Sequence, residues 1–110
     1  MYVLTVIAHP KPGMADALRQ ACINLTAESA DHKGLLHYSW NASDDSGRLV
    51  LVEVHEDEAS IFNHLELAHV DDLWAASESF TDINLYGPTP SDKLVQTLGA
   101  VGPMTVHLHV

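Results

Sequence analysis

The sequence predicts an α+β domain in which one antiparallel sheet carries helices on a single face. Predicted strands and helices follow the order β-α-β-β-α-β, which is typical of this class. Two neighbouring strands are separated only by a polar, turn-rich segment, as in a β-hairpin. The chain has 110 residues, of which 46% are hydrophobic, enough for one core and too few for two. We therefore expect residues 1–110 to form a single domain.

The first strand and the first helix occupy the N-terminal quarter of the chain. Tyr2 to Ala8 is apolar and β-branched almost throughout, which predicts a strand buried on both faces. From Met14 to Ser29 apolar residues recur at helical spacing and predict an amphipathic helix. Cys22 falls on its apolar face and is the only cysteine, so we expect it to pack in the core and to have no catalytic role.

A β-hairpin is predicted next, from Gly34 to Trp40 and from Arg48 to His55. The second of these strands alternates between two sets of side chains. One set consists of three valines, and the other contains Leu51, Glu53 and His55. We expect the valines to lie under the helices and the other set to lie on the uncovered face of the sheet.

The second helical region begins at Asp57, whose carboxylate is suited to accept hydrogen bonds from the first free N–H groups of a helix. Helical spacing runs to about Leu67 and again from Val70 to Ser77, so we expect an interruption between the two pieces. Phe80 to Tyr86 predicts a fourth strand. These elements complete a ferredoxin-like arrangement.

A further helix and strand are predicted at the C-terminal end. Ser91 to Leu98 follows a proline-rich turn and reads as a short helix, and Met104 to Val110 alternates like a half-buried strand. Helices on one side leave the other face of the sheet open. Because Leu51 is predicted on that open face, we expect a second copy of the chain to cover it, giving a homodimer.

Charge excludes several classes of partner. The formal net charge is −10, with only five Lys and Arg residues, so a nucleic-acid backbone or an anionic membrane surface would be repelled. The apolar runs are far shorter than the roughly 20 residues that span a bilayer, and the N-terminus lacks the pattern of a signal peptide. We expect a cytoplasmic protein that binds a small molecule.

Eight histidines are the most unusual feature of the composition. His64 and His69 are separated by about 140° on an unbroken helix, so they converge only if the helix is interrupted between them. Metal-binding pairs on helices prefer a spacing of about three or four residues, and we therefore expect no metal site. His64 lies at the edge of an apolar arc, where it either packs or faces a pocket. For His69 the alternative to a pocket role is packing at the helix junction.

Four other polar or aromatic residues are candidates for a site. Burying the unpaired carboxylate of Glu53 would be costly, which favours either a structural hydrogen bond or a catalytic role. The hairpin is expected to bring His37 near Glu53 or Leu51. Tyr38 belongs either to the core or to a substrate surface, and Asn84 points either to a pocket or to solvent.

Residues 1–86 resemble the antibiotic biosynthesis monooxygenase family of dimeric α+β barrel proteins. The resemblance rests on the segments "KPG", "GLLHYSW", "LVLVEVHEDEASIFNHL" and "HV". It implies a pocket between the sheet and the helices and monooxygenation of a small hydroxylated aromatic or quinol-type substrate. In many members this reaction needs no metal, flavin or haem, so we expect no cofactor.

The resemblance also assigns roles to the candidates. The expected proton acceptors are His64, Glu53, His55 and His37, and the expected substrate contacts are Leu51, His69, Tyr38, Trp74 and Asn84. Haem-degrading relatives place an Asn, a Trp and an iron-binding His where this chain has Val6, His64 and Trp74, which argues against haem. The alternative to an enzyme is a non-catalytic module that binds a small molecule or assembles on the same dimeric scaffold.

Overall fold

The computed structural model describes residues 1–110 and contains five strands and four helices. In chain order the elements are β1 (Tyr2–Pro10), α1 (Ala15–Ser29), β2 (Leu35–Asn41), β3 (Leu49–His55), α2 (Glu58–Leu65), α3 (Val70–Ala76), β4 (Ser77–Gly87), α4 (Asp92–Gly99) and β5 (Met104–Leu108). The predicted α+β, ferredoxin-like class is confirmed, including the added C-terminal helix and strand.

All five strands form one sheet in the order β2-β3-β1-β4-β5. The first four pair antiparallel, as predicted, whereas β5 pairs parallel to β4. The parallel pair arises because α4 carries the chain back along the sheet before β5 begins, as a parallel connection requires. The sheet is therefore mixed rather than wholly antiparallel.

The two faces of β3 are the reverse of those predicted. Leu49, Leu51, Glu53 and His55 are buried beneath the helices, and the three valines between them are only partly buried on the opposite face. Alternation alone fixes which residues share a face and not which face is covered. The polar pair tolerates burial because Glu53 and His55 are hydrogen-bonded to each other.

The first strand shows the same one-sided burial. Its residues alternate between buried and partly exposed from Tyr2 to Ala8, so the prediction of a strand buried on both faces is wrong. The uncovered face of the sheet nevertheless carries several apolar side chains on β1 and β3. Its partly buried side chains include Val3, Ile7, Val50, Val52 and Val54.

The core lies between the sheet and the helices in two adjoining clusters. Cys22 is 2% exposed within one of them, which confirms its packing role. Burial raises the pKa of its thiol to about 12, so the thiol stays protonated at neutral pH.

The junction after β3 is organised by Asp57, which caps α2 by accepting a hydrogen bond of 2.9 Å from the backbone N–H of Ser60. The predicted interruption lies between Leu65 and Val70. No helix in the structure is long and apolar enough to cross a membrane.

Candidate functional site

A narrow cavity of about 60 Å³ lies between the sheet and the helices. Fourteen of its sixteen lining residues are hydrophobic, so the wall is suited to apolar groups. Strands β1, β2, β3 and β4 contribute to the wall, as do helices α1, α2, α3 and α4. The ionisable side chains among the lining residues are Glu53, His64 and Tyr38.

Glu53 reaches the cavity from β3 and is 3% exposed. Its Oε1 lies 3.0 Å from Nε2 of His55, and Nδ1 of the same ring lies 2.6 Å from the hydroxyl oxygen of Ser60. His55 is fully buried and does not line the cavity. Its hydrogen bond to the site runs through Glu53, and its ring also lies edge-on to that of His64, with the centroids 5.8 Å apart.

His64 lies in the last turn of α2 and faces Glu53, and both side chains line the cavity. Its Nε2 lies 3.9 Å from Glu53 Oε2, which is too long for a hydrogen bond. Burial lowers the pKa of His64 below its ordinary value, although the nearby Glu53 carboxylate raises it in part. The ring is therefore neutral at neutral pH, because both the direction of the shift and the ordinary pKa of about 6.5 favour that form.

The His64 ring also packs against neighbouring side chains. It therefore both packs and lines the cavity, the two roles that the sequence left open as alternatives. Its centroid lies 4.7 Å from that of Tyr38 and 5.7 Å from that of His32. Its Nδ1 is buried and has no hydrogen-bond partner. His64 thus has one nitrogen toward Glu53 and one nitrogen without a protein partner.

Tyr38 brings a phenol to the same wall. Trp40 Nε1 donates a hydrogen bond of 2.9 Å to the Tyr38 hydroxyl oxygen. Burial, followed by the Glu53 charge, raises the pKa of Tyr38 far above its ordinary value. Tyr38 consequently remains a neutral phenol whose O–H is able to donate to an oxygen in the cavity.

Leu51 and Trp74 also line the cavity, as the predicted substrate contacts require. Trp74 is 39% exposed and packs edge-on against Phe80 with a centroid distance of 5.1 Å, so it lies at the cavity mouth. Sequence reasoning missed Leu98 and Val101, which also line the cavity. The spacing of Leu94 and Leu98 on α4 is the signal that could have indicated a packed face there.

His37, His69 and Asn84 lie outside the cavity, which corrects three placements. His37 is exposed and pairs with Val54 on the uncovered face, because a β-bulge after Leu35 shifts the register. The His69 side chain is 39% exposed. The hydrogen bond from His69 to the Asp72 carboxylate raises the pKa of this histidine. Asn84 lies 2.9 Å from His107 Nε2 on the uncovered face.

The histidine cluster does not form a metal centre. His32, His55 and His64 lie near one another, yet no three His, Cys, Asp or Glu side chains converge with the geometry of metal ligands. What the cavity wall offers instead is a carboxylate, a neutral imidazole and a phenol around an apolar space. This set is suited to binding a hydroxyl group and moving its proton.

Comparison with known families and structures places this geometry in context. The profile of the antibiotic biosynthesis monooxygenase family matches residues 1–76. No curated protein sequence matches the chain.

Among solved structures, that of MupZ from Pseudomonas fluorescens superposes with a TM-score of 0.77 at 17% identity, covering 99% of this chain and 89% of that one. A putative antibiotic biosynthesis monooxygenase from Nitrosomonas europaea gives 0.68 at 25% identity, covering 82% and 100%. PA3566 from Pseudomonas aeruginosa gives 0.67 at 24% identity, covering 76% and 89%. These matches show a shared fold, and the coverage by MupZ extends it to nearly the whole chain.

Proposed function

The chain belongs to the antibiotic biosynthesis monooxygenase family, and on this premise we propose that it oxygenates a small hydroxylated aromatic or quinol-type substrate. The substrate would bind in the cavity between the sheet and the helices. Glu53 and His64 form the proton-accepting pair, Tyr38 donates a hydrogen bond, and Leu51 and Trp74 contact the ring.

One observation carries the proposal, the separation of 3.9 Å between Glu53 Oε2 and His64 Nε2. A single hydroxyl oxygen placed beside the line that joins these atoms comes within hydrogen-bond distance of both, at about 2.7–2.9 Å. The Glu53 carboxylate only accepts, so the hydroxyl donates either to Glu53, with His64 Nε2–H donating to the hydroxyl oxygen, or to His64 Nε2 in the other tautomer. A phenolic oxygen is thus held next to two groups, one of which takes its proton.

Deprotonation is the step that the protein must supply. An electron-rich phenolate transfers electrons to dioxygen directly, so the substrate itself is the reductant. For an anthrone-type substrate the CH2 carbon becomes a carbonyl, one oxygen atom enters that carbonyl, and the second leaves as water with the two displaced hydrogens. The apolar wall supports this chemistry because it keeps water from the reactive intermediate.

We propose that the uncovered face of the sheet forms a homodimer. Its partly buried valines and Ile7 make an apolar surface, which water solvates poorly. This surface is not the one inferred from the sequence, because Leu51 lies on the other face. The expectation of a dimer therefore rests on Val50, Val52 and Val54 instead.

The cavity volume favours a second candidate function, a module that binds a ligand without turnover. A cavity of about 60 Å³ is smaller than the roughly 150 Å³ that accommodates benzene in an engineered protein core. An aromatic substrate therefore requires the wall to move, and Trp74 at the mouth is the side chain placed to do so. A smaller ligand would need no such movement.

Oxygen uptake separates the two functions. Purified protein is mixed with a panel of anthrones and naphthohydroquinones, and dioxygen consumption is compared with that of Glu53→Gln and of His37→Ala. We expect consumption above the uncatalysed rate for the wild type and His37→Ala, and about 10²-fold less for Glu53→Gln. Dioxygen consumption at the uncatalysed rate with all three proteins, together with binding of the same compounds, would support the non-catalytic module.

A further inference from the structure

We propose that His55 and Ser60 act as a positioning pair that fixes the Glu53 carboxylate in the cavity wall. The proposal rests on the proposed function, in which Glu53 accepts a proton from the substrate. Neither residue of the pair lines the cavity, so both would act through Glu53.

The three side chains form a continuous buried chain. His55 is 0% exposed, and Ser60 and Glu53 are each 3% exposed. The distances are 2.6 Å from Ser60 Oγ to His55 Nδ1 and 3.0 Å from His55 Nε2 to Glu53 Oε1. Glu53 Oε1 is therefore held in place, while Oε2 makes no hydrogen bond and is directed toward His64.

The proposed function, with Glu53 ionised and His55 neutral, sets the protons along these hydrogen bonds. An ionised carboxylate only accepts, so in this state His55 Nε2–H is the donor to Glu53 Oε1. In the neutral ring Nδ1 is then an acceptor, and the Ser60 hydroxyl donates to it. The hydrogen bond that Nδ1 accepts from Ser60 sets the tautomer and the orientation of the His55 ring, as a second hydrogen bond does for histidines that bind metals.

Local structure explains why Ser60 is available. It lies in the first turn of α2, where Asp57 accepts from its backbone N–H and leaves its hydroxyl free for His55. Gly34 packs against it with a φ of +86°, and a Cβ at that glycine would lie 2.9 Å from the Ser60 Cβ. A side chain at position 34 would thus displace the hydroxyl.

The same three residue types occur in serine hydrolases, but this arrangement excludes that chemistry. Ser60 is buried away from the cavity and the carboxylate lines it, which is the opposite of a nucleophilic serine. The hydrogen bonds are therefore donated from Ser60 to His55 and from His55 to Glu53. The reacting end is the carboxylate.

Other titratable groups face the same carboxylate and ring. His64 of α2 lies opposite Glu53 Oε2, with its centroid 5.8 Å from that of His55. Tyr38 of β2 is opposite Glu53 in the sheet, and His32 lies beyond His64. Ser60→Ala leaves all three and His55 in place, whereas the His55 variants also change the surroundings of His64, so the titration of the Glu53 carboxyl itself is the readout that isolates the positioning pair.

Three variants test the pair. His55→Phe keeps an aromatic ring and removes both nitrogens, Ser60→Ala removes only the hydroxyl, and His55→Gln retains an N–H that is able to donate to Glu53. Loss of the donor to a buried carboxylate raises its pKa. The acid limb of the kcat/KM profile for anthrone oxidation should therefore move up by about one pH unit or more in His55→Phe, with kcat about 10²-fold lower and KM nearly unchanged.

We expect Ser60→Ala to shift the limb in the same direction by a smaller amount, and His55→Gln to recover at least about tenfold of the lost kcat. An unshifted acid limb and an undiminished kcat per folded molecule in both His55→Phe and Ser60→Ala would overturn the proposal. Carbon-detected NMR titration of the Glu53 carboxyl provides a readout independent of turnover. If no substrate is oxidised, an upward shift of that titration in His55→Phe still supports the pair, and its absence refutes it.

Discussion

Replacing His64 with alanine tests the site most severely, because this side chain both lines the cavity and packs against its neighbours. His64 is 4% exposed and its ring lies 4.7 Å from that of Tyr38. Large-to-small substitutions at such positions cost about 2–4 kcal/mol in the free energy of unfolding. The variant also removes the buried Nδ1 that lacks a partner, which recovers about 1–3 kcal/mol.

The net expectation is a loss of about 1 kcal/mol, which corresponds to a fall in Tm of about 4–8 °C in a domain of this size. Loss of a proton acceptor should in addition lower kcat/KM by a factor of about 10². Thermal unfolding and oxygen uptake are measured on the same preparation, with His37→Ala as the matched control because that imidazole is exposed and outside the cavity. Activity per folded molecule equal to wild type, at a lowered Tm, would remove His64 from the site and refute this reasoning.

Three further predictions concern pH, cavity size and assembly. Burial lowers the pKa of His64 in the folded state, so the unfolded chain binds a proton at this residue more readily. The free energy of unfolding should therefore fall as the pH drops from about 6.5, the ordinary histidine pKa, to the lowered pKa of the folded state. In urea unfolding, His64→Leu should weaken this pH dependence. Leu98→Ala should lower the free energy of unfolding by about 2–5 kcal/mol and enlarge the cavity, so that dissociation constants for bulkier naphthohydroquinones decrease; unchanged constants would contradict the place of Leu98 in the cavity wall. Val52→Glu on the uncovered face should yield monomers in sedimentation velocity, whereas Ile23→Glu on the exposed side of α1 should leave the dimer intact. A wild-type protein that is monomeric at micromolar concentration would disprove the dimer.

The sequence predicted the order of the elements and most of their bounds to within two residues, because apolar periodicity and turn residues report local structure, but β4 begins at Ser77 rather than at Phe80. It could not decide which face of β3 the helices cover. Val50, Val52 and Val54 look more suitable for burial than a set containing Glu53 and His55. Only the hydrogen bonds to His55 and onward to Ser60 make that second set tolerable inside, and these depend on a residue of the next helix.

The error at His37 has a different cause. Regular pairing from Leu35 opposite His55 would put His37 opposite Glu53, where the sequence suggested it. A single β-bulge inserts one residue, moves Tyr38 into that position and turns His37 to the other face. No residue type in the strand predicts the bulge. Tyr38 therefore occupies the position opposite Glu53 that the sequence suggested for His37.

If Glu53 and His64 deprotonate a phenolic substrate that then reacts with dioxygen, the oxygen atom in the product comes from dioxygen and its rate of incorporation depends on Glu53. The most direct measurement is mass spectrometry of the product of an anthrone incubated under isotopically labelled dioxygen, with wild type and Glu53→Gln compared at equal concentrations of folded protein. We expect one labelled oxygen atom in the carbonyl formed, at a yield about 10²-fold higher with the wild type in the initial phase. Equal yields from the two proteins, or a carbonyl oxygen derived from water, would contradict it.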